Sequence, residues 1–229
     1  MRPHIAEFVK MVVNTIPVTG PVYEFGSYQV QGQEDIADMR PLFTGFQFVG
    51  TDARPGPGVD EVQNLHALDI LDNSVGTALC LETLEHVKLP WQAAHELYRV
   101  LRPGGILIAT STMNYPIHDH PDDYWRYTPS GFDSLFWMFN DRFIGYAGDD
   151  TFPHTVVVVA RKCIQIQPNI AIESMLDGKY HDWKLDAEFQ PAPRKLSDKI
   201  NWALYQSVPP FVAKPVKRII RKAKEMAKT

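Results

Sequence analysis

The chain has 229 residues, of which 45% are hydrophobic and 22% charged, a composition that supports a sizeable core and excludes global disorder; its two cysteines exclude a disulfide framework and a zinc module. No stretch approaches about 18 consecutive apolar residues, and the first ten residues lack the layout of a signal peptide, so we expect a soluble, cytoplasmic protein. The net charge of −4 is uneven, because residues 213–229 hold seven Lys or Arg against one Glu, which leaves −10 on residues 1–212; we therefore expect a small substrate and no nucleic-acid partner.

The first half of the chain alternates between predicted helices and predicted strands. Apolar residues at helical spacing predict a leading helix over residues 5–13. Four strands are predicted, each ended by Gly or an acid: 22–25, 46–51, 75–81 and 106–110. Helices are predicted over 33–43 and 91–101, with Gly104 and Gly105 ending the second one. This alternation predicts crossover units and a largely parallel sheet, in which Cys80 is a buried structural residue.

The second half of the chain has a different pattern. Thr128 and Pro129 predict a helix start, as N-cap and first helical residue. Residues 143–146 and 155–160 predict two strands separated by a short polar turn, which favours an antiparallel hairpin closing the sheet. After residue 162 prolines punctuate short helical pieces, so we predict a main domain over 1–165 and a C-terminal extension over 166–229.

The residues directly after the strands are the candidate ligand residues, because ligands of such sheets bind beyond the carboxyl ends of the strands. The first strand ends with Glu24, then Gly26 and Ser27, where glycine allows a tight turn and a close approach to a ligand. The second ends at Asp52, whose carboxylate can accept both hydroxyls of a ribose. The alternative is that Asp52 only caps the turn that begins at Ala53.

The segment 71–111 carries two further motifs, LEHV at residues 84–87 and LRPGG at residues 101–105. With this spacing it resembles class I S-adenosylmethionine-dependent methyltransferases, in the branch often called type 11, over about residues 20–162. The resemblance implies a doubly wound, Rossmann-like α/β fold with a mostly parallel seven-stranded sheet and an antiparallel strand near its end. It also implies S-adenosylmethionine as cofactor, a small-molecule acceptor, and methyl transfer to oxygen ahead of nitrogen.

The resemblance is imperfect in the first loop, where Tyr28 stands in place of the middle glycine of the family's acid-x-Gly-x-Gly-x-Gly pattern. Tyr28 either obstructs the methionine part of the cofactor or points away from it. Obstruction would favour a non-catalytic relative that serves as a binding or scaffolding module. A nicotinamide-dependent dehydrogenase is a weaker alternative, since Gly26 is not part of a GxGxxG pattern.

Further site residues follow from the resemblance. Asn64 and Leu65 would lie beside the adenine, and Leu81 and Glu82 would border the cofactor or the acceptor. His86 is the candidate general base, because imidazole titrates near neutrality and this strand end faces the crevice. The alternative is that His86 only bonds backbone and shapes the pocket.

The loop 113–127 is the predicted lid over the acceptor. Its candidate substrate-binding residues are aromatic or able to carry a positive charge: Tyr115, His118, Tyr124, Trp125 and Arg126. The alternative is a loop anchored by packed aromatics, with Arg126 bonded to Asp122 or Asp123. A possible metal-ligand set also lies in this loop: His118, Asp119, His120, Asp122 and Asp123. Neighbouring residues point in different directions and no helical pair of ligands exists, so we expect no metal.

The basic end of the chain predicts a short amphipathic helix. Val216, Ile219, Ile220 and Ala223 fall on one face, and lysines and arginines crowd the rest. Such a helix can lie on anionic lipid, whereas a solvated end or docking on the acidic body is the alternative. We expect weak, salt-sensitive peripheral membrane contact at most.

Overall fold

A computed structural model of the chain describes residues 2–30, 34–118, 122–163 and 171–187, without the side chains of residues 34, 35 and 185–187. The chain divides into two compact units, Met1–Phe189 and Gln190–Thr229. The second unit, which includes the predicted basic helix, lies outside the described residues, as do Asp119 and His120 of the loop. The predicted boundary near residue 165 also falls outside them and stays a prediction.

One seven-stranded sheet forms the centre of the first unit. Its strands are β1 Val22–Phe25, β2 Phe48–Asp52, β3 Glu61–Val62, β4 Val75–Leu81, β5 Leu101–Thr112, β6 Asp141–Gly148 and β7 Pro153–Arg161. They lie in the order β3-β2-β1-β4-β5-β7-β6, and β7 is antiparallel to both its neighbours while all other pairs are parallel. The predicted fold class and hairpin are confirmed.

Two apolar layers cover the sheet because successive side chains of a buried strand point to opposite faces. In β4, Ala78 and Cys80 belong to one core cluster and Leu79 and Leu81 to the other. The first layer contains α3 (Pro90–Val100) and α4 (Pro129–Leu135), and the second contains α1 (Pro3–Val13). The buried position of Cys80 is as predicted.

The prediction of one helix over residues 33–43 is wrong. It forms a single helical turn, α2 (Glu34–Ala37), and then a 3-10 turn at Arg40–Phe43. The Asp38 carboxylate accepts a hydrogen bond from the backbone N–H of Arg40 (3.1 Å), and Pro41 has no N–H to continue a ladder. Asp commonly competes with helix hydrogen bonds in this way.

The predicted role of Gly104 and Gly105 as a helix end is also wrong. Helix α3 ends at Val100 and β5 begins at the next residue, so both glycines lie inside the strand. Gly104, with φ +80°, donates its N–H to the carbonyl of Lys162. The Lys162 ammonium in turn donates to the carbonyls of Tyr98 and Leu101 (2.7 Å each) and so caps the end of α3.

Two short helices follow β7 along the chain, α5 (Ile172–Leu176) and α6 (Lys179–Ala187). Trp183 of α6 packs on Phe8 of α1 with 4.7 Å between ring centroids, and its indole N–H donates to the carbonyl of His4 (2.9 Å). These contacts attach residues 171–187 to the leading helix. None of the described helices is long and apolar enough to cross a bilayer.

Candidate functional site

A cavity of about 330 Å³ opens at the carboxyl ends of β1, β2 and β4. Its wall includes all nine predicted cofactor residues: Glu24, Gly26, Ser27, Asp52, Ala53, Asn64, Leu65, Leu81 and Glu82. It also includes His86, Tyr115 and His118, whereas Tyr124, Trp125 and Arg126 are not among the described lining residues. The structure therefore brings most of the candidates together, and their binding roles stay predictions.

The loop after β1 is fixed by contacts with two neighbouring strand ends. Gly26 has φ +91°, and a β-carbon built there would lie 2.0 Å from the Thr83 hydroxyl oxygen. The N–H groups of Gly26 and Ser27 both donate to the carbonyl of Thr51, at 2.7 and 2.9 Å. Only glycine fits this position, because the φ value and the close approach both exclude a side chain.

Glu24 lies below this loop and is 4% exposed. Its burial raises the pKa of the carboxyl group to about 8, although the charge of Arg40 acts in the opposite direction. A carboxyl in such a site favours its neutral form, because burial disfavours charge. Glu24 is therefore a hydrogen-bonding group of the cavity wall whose charge depends on what binds beside it.

Asp52 takes part in the turn that the sequence suggested as its alternative role. Its Oδ1 accepts hydrogen bonds from the backbone N–H and the Nε of Arg54, at 3.0 and 3.3 Å. The same side chain lines the cavity. Turn formation and ribose binding are thus compatible, since a carboxylate has two oxygens and about four acceptor positions.

Tyr28 lies along the cavity wall and leaves the cavity open. The Arg54 guanidinium stacks over its ring at 4.5 Å from the centroid. A β-carbon on Gly56 would lie 2.3 Å from the Tyr28 ring, so the ring packs directly on that glycine. The side chain is therefore held between Arg54 and Gly56.

Asn64 is oriented by a histidine that sequence analysis did not single out. Its Oδ1 accepts from the backbone N–H of His66 and is 2.9 Å from the Nδ1 of the same residue. The His66 Nε2 accepts from the N–H of Leu89 (3.2 Å), which makes Nδ1 the protonated nitrogen. With its oxygen engaged, Asn64 can offer its amide N–H groups to a ligand.

Glu82 pairs with Arg2, a residue that sequence analysis missed. The guanidinium donates to both carboxylate oxygens, at 2.8 and 2.9 Å, and approaches His154 Nδ1 at 3.1 Å. Burial raises the pKa of Glu82, but the charge and hydrogen bonds of Arg2 outweigh it and hold the pKa below its ordinary value. Glu82 also adopts φ +51°, an uncommon conformation for a residue with a side chain.

Three further side chains converge at the other end of the cavity. Glu85, His86 and His118 each offer a ligand atom, and these three atoms lie within 4.8 Å of one another. Glu85 is fully buried, and its Oε2 accepts from the Ser111 hydroxyl (2.7 Å). Its Oε1 has no hydrogen-bond partner in the part of the chain that the structure describes. Burial and the charge of Glu82 both raise the pKa of Glu85.

The Nδ1 atom of each histidine in this group lies close to an oxygen that can accept a hydrogen bond. His86 Nδ1 lies 2.5 Å from the carbonyl of Asp122, and His118 Nδ1 lies 3.2 Å from the carboxylate of Asp123. A carbonyl and a carboxylate can only accept, so Nδ1 carries the proton in both rings. In the neutral form of each ring, Nε2 is then the nitrogen with the lone pair.

An ion pair anchors the loop that supplies His118. Arg126 donates to both carboxylate oxygens of Asp123 and to the carbonyls of Tyr115 (3.2 Å) and Pro116 (3.0 Å). Arg126 thus anchors the loop, with Asp123 rather than Asp122 as its partner. Trp125 packs edge-on against Trp91 outside the cavity, with 6.1 Å between ring centroids.

Comparison with known sequences identifies the central segment. Residues 48–109 match the family model described as a methyltransferase domain. The central segment of the chain is therefore similar to methyltransferase domains. An uncharacterized methyltransferase of Mycobacteroides abscessus is 45% identical over 47 residues, which cover 20% of this chain and 18% of that protein. One from Mycobacterium bovis BCG is 40% identical over 73 residues, or 32% and 25% of the two chains. This chain therefore spans a quarter or less of the length of these relatives.

Solved structures share the fold of this chain at low identity. A SAM-dependent methyltransferase from Archaeoglobus fulgidus superposes with a TM-score of 0.53 at 10% identity, covering 69% of this chain and 94% of that one. A Burkholderia thailandensis 1,6-didemethyltoxoflavin-N1-methyltransferase, solved with its substrate and S-adenosylhomocysteine, gives 0.53 at 15% identity, covering 70% and 78%. The recognition made from the LEHV and LRPGG motifs is confirmed.

Proposed function

We propose that the protein is an S-adenosylmethionine-dependent methyltransferase that acts on a small molecule, with a hydroxyl favoured over an amine as acceptor. The cavity beyond β1, β2 and β4 carries this proposal, because it lies on a chain whose central segment is similar to methyltransferase domains and has the backbone approach and the acid groups that the donor needs. Its volume of about 330 Å³ falls within the range of about 300 to 1,000 Å³ usual for small-molecule sites.

We assign the donor end of the cavity to Gly26, Ser27, Asp52 and Asn64. At Gly26 the cavity offers a backbone surface that a β-carbon would fill, which fits close contact with the methionine part of the cofactor. Asp52 would accept the ribose hydroxyls, and the Asn64 amide would donate to the adenine. When bound, S-adenosylmethionine supplies an already activated methyl group on a sulfonium.

We assign the acceptor end of the cavity to Glu85, His86 and His118, together with Tyr115. These residues would hold the acceptor beside the methyl group and exclude water. Alignment of this kind accounts for about 7 to 11 kcal/mol of a reaction barrier. His86 stays the predicted base, with Nε2 as the nitrogen that would accept a proton from an acceptor hydroxyl.

The position of Tyr28 supports catalysis over a purely scaffolding role. A tyrosine that occupied the donor end would have left no room for a nucleoside, whereas this ring is packed between Arg54 and Gly56. The open cavity therefore removes the main argument for a non-catalytic module.

Calorimetric titration of the full chain with S-adenosylhomocysteine tests the proposal. We expect saturable heat with one equivalent per chain, and no heat with NADH as a control for nucleotide binding of another class. Absence of heat at high micromolar S-adenosylhomocysteine would count heavily against the proposed function.

We propose separately that the basic end of the chain associates weakly with anionic lipid. The support is the charge and spacing of residues 213–229. Sedimentation with anionic vesicles at low salt, comparing the full chain with one ending at residue 212, tests this. Equal pelleting of the two would remove the basic segment from any membrane role.

A further inference from the structure

We propose that Glu85, His86 and His118 form a binding site for a divalent transition-metal cation at the acceptor end of the cavity. Their three candidate ligand atoms already lie within 4.8 Å of one another. Metal–ligand distances of about 2.0 to 2.2 Å place neighbouring ligand atoms about 3 to 3.5 Å apart. Binding therefore requires these ligand atoms to move closer together.

The oxygen atoms that contact Nδ1 of the two histidines are of the kind found around metal-binding histidines. A histidine that binds a metal usually donates its other N–H to a carboxylate or a backbone carbonyl, which fixes the tautomer and the ring orientation. Here His118 Nδ1 contacts the Asp123 carboxylate (3.2 Å) and His86 Nδ1 contacts the Asp122 carbonyl (2.5 Å). In the neutral rings this leaves the lone pair on Nε2, the nitrogen that would bind the metal.

The buried carboxylate gives the second, independent observation. Glu82 and Glu85 lie three residues apart, but Glu82 has the guanidinium of Arg2 as a partner for both oxygens. Among the described residues, Glu85 has only the Ser111 hydroxyl on Oε2, and its buried Oε1 has no hydrogen-bond partner there. A buried polar atom without a partner costs about 1 to 3 kcal/mol, and a cation bound at Oε1 would remove that cost.

The ligand types indicate the class of metal. Two imidazoles and one carboxylate suit Zn²⁺, Fe²⁺, Co²⁺ or Ni²⁺ rather than Mg²⁺ or Ca²⁺, which prefer oxygen ligands. Three protein ligands leave at least one coordination position for water or for an oxygen of the acceptor. The second of these roles rests on the proposed function, whereas binding of the cation does not.

The metal-ligand and base roles of His86 exclude each other, because both use the lone pair of Nε2. A bound divalent cation lowers the pKa of a hydroxyl that coordinates it. A coordinated acceptor hydroxyl could therefore lose its proton to solvent water, and no protein base would be needed. The proposal therefore assigns His86 as a ligand in the metal-loaded protein.

The test uses the untagged full chain, treated with a chelator that is then removed, and titrated with Co²⁺ while its visible absorption is recorded. We expect one equivalent of Co²⁺ to bind and Zn²⁺ to displace it. Glu85→Gln keeps the size of the side chain and should weaken Co²⁺ binding by about 100-fold or more. Loss of a residue that only hydrogen-bonds a ligand typically costs about 10- to 100-fold. His95→Asn, which removes an exposed histidine of α3, should leave binding unchanged.

Two controls keep the outcome interpretable. The far-ultraviolet spectrum and thermal transition of Glu85→Gln show whether it is folded, and Asp123→Asn, a change behind the ligand His118, should weaken Co²⁺ binding by about 10- to 100-fold. Unchanged Co²⁺ affinity in folded Glu85→Gln would overturn the proposal. So would a wild-type chain that binds S-adenosylhomocysteine but shows no cobalt absorption, whereas cobalt absorption without nucleoside binding would overturn only the proposed function.

Discussion

The end of the cavity that we propose for the donor includes a loop fixed by backbone hydrogen bonds between neighbouring strand ends, whereas the end that we propose for the acceptor takes Tyr115 and His118 from a loop held by side chains. Gly26 and Ser27 are fixed by the carbonyl of Thr51 in the adjacent strand, so their positions depend on backbone contacts. His118 owes its position to the pair between Asp123 and Arg126. The acceptor end can therefore change with a few substitutions while the donor end cannot.

Gly26→Ala should have the largest effect, and it tests the rigidity of the donor end. The new methyl group would overlap Thr83 at a positive φ, and overpacking of about 1 to 3 kcal/mol adds to backbone strain of about 1 to 2 kcal/mol. We expect the free energy of unfolding, measured with urea, to fall by about 2 to 5 kcal/mol. Gly104→Ala is the matched control, because φ is also positive but no atom lies within 4 Å of its β-carbon; it should lose only the strain. Equal losses in the two variants would contradict the steric argument.

Asp123→Asn should loosen the acceptor end alone. Hydrogen bonds to a charged group contribute about 1.5 to 3 kcal/mol, and this carboxylate is almost fully buried against Arg126. We expect faster amide hydrogen exchange in residues 113–118 and 122–127, with unchanged affinity for S-adenosylhomocysteine. Asp133→Asn, which breaks an exposed pair with Arg142, should leave the exchange of this loop as it was. A parallel loss of nucleoside affinity in Asp123→Asn would show that the two ends are coupled.

Asp52 variants separate the turn from ligand binding at the donor end. Asp52→Ala should weaken S-adenosylhomocysteine binding by about 1 to 3 kcal/mol, the range for removing a hydrogen-bonding partner. Asp52→Asn keeps an acceptor for the N–H of Arg54 and hence the turn, so it should recover stability but only part of the affinity. Full recovery of calorimetric affinity by Asn would limit Asp52 to the turn.

The most gradual expected effect is the pH dependence of stability contributed by Glu24, because it is spread over several pH units. Its pKa is about 8 in the folded chain against an ordinary 4.5, so between these values the folded state holds a proton that the unfolded state has lost. Stability from this group is complete below about pH 4.5 and decreases as pH rises toward 8, by at most about 1.4 kcal/mol per pH unit. Glu24→Gln should remove this slope in urea titrations between about pH 5.5 and pH 7.5. Parallel stability profiles for the two proteins would contradict it.

The strands were predictable from the sequence because their signals are local. Residues 22–25 and 75–81 are apolar runs bounded by turn residues, and they appear as β1 and β4 with the predicted bounds. Gly26 and Asp52 were singled out by their places at the ends of β1 and β2. The helix predicted over 33–43 failed because apolar periodicity does not register the competing Asp38 side chain.

The acceptor end was less predictable because its contacts join distant parts of the chain. Glu85 stands within the LEHV motif, yet its burial depends on β5 and its hydroxyl partner Ser111 is 26 residues away. Arg2 and Glu82 are 80 residues apart. Nothing in the sequence around either residue indicates such a partner. For Arg126 the sequence left two alternatives open, substrate binding or a pair with Asp122 or Asp123, and only the packing of the loop could decide between them.

The position of β7 between β5 and β6 means that the sheet cannot be completed until late in the synthesis of the chain. A ribosome delivers β5 and β6 before the strand that joins them, so the edge of β5 has no partner until residues 153–161 emerge. An unpaired, apolar strand edge is a template for aggregation, and β7 is buried along all of its length except Arg161. Chains terminated before this strand, by a nonsense codon or a stalled ribosome, would expose the two edges that it covers and become targets for quality control.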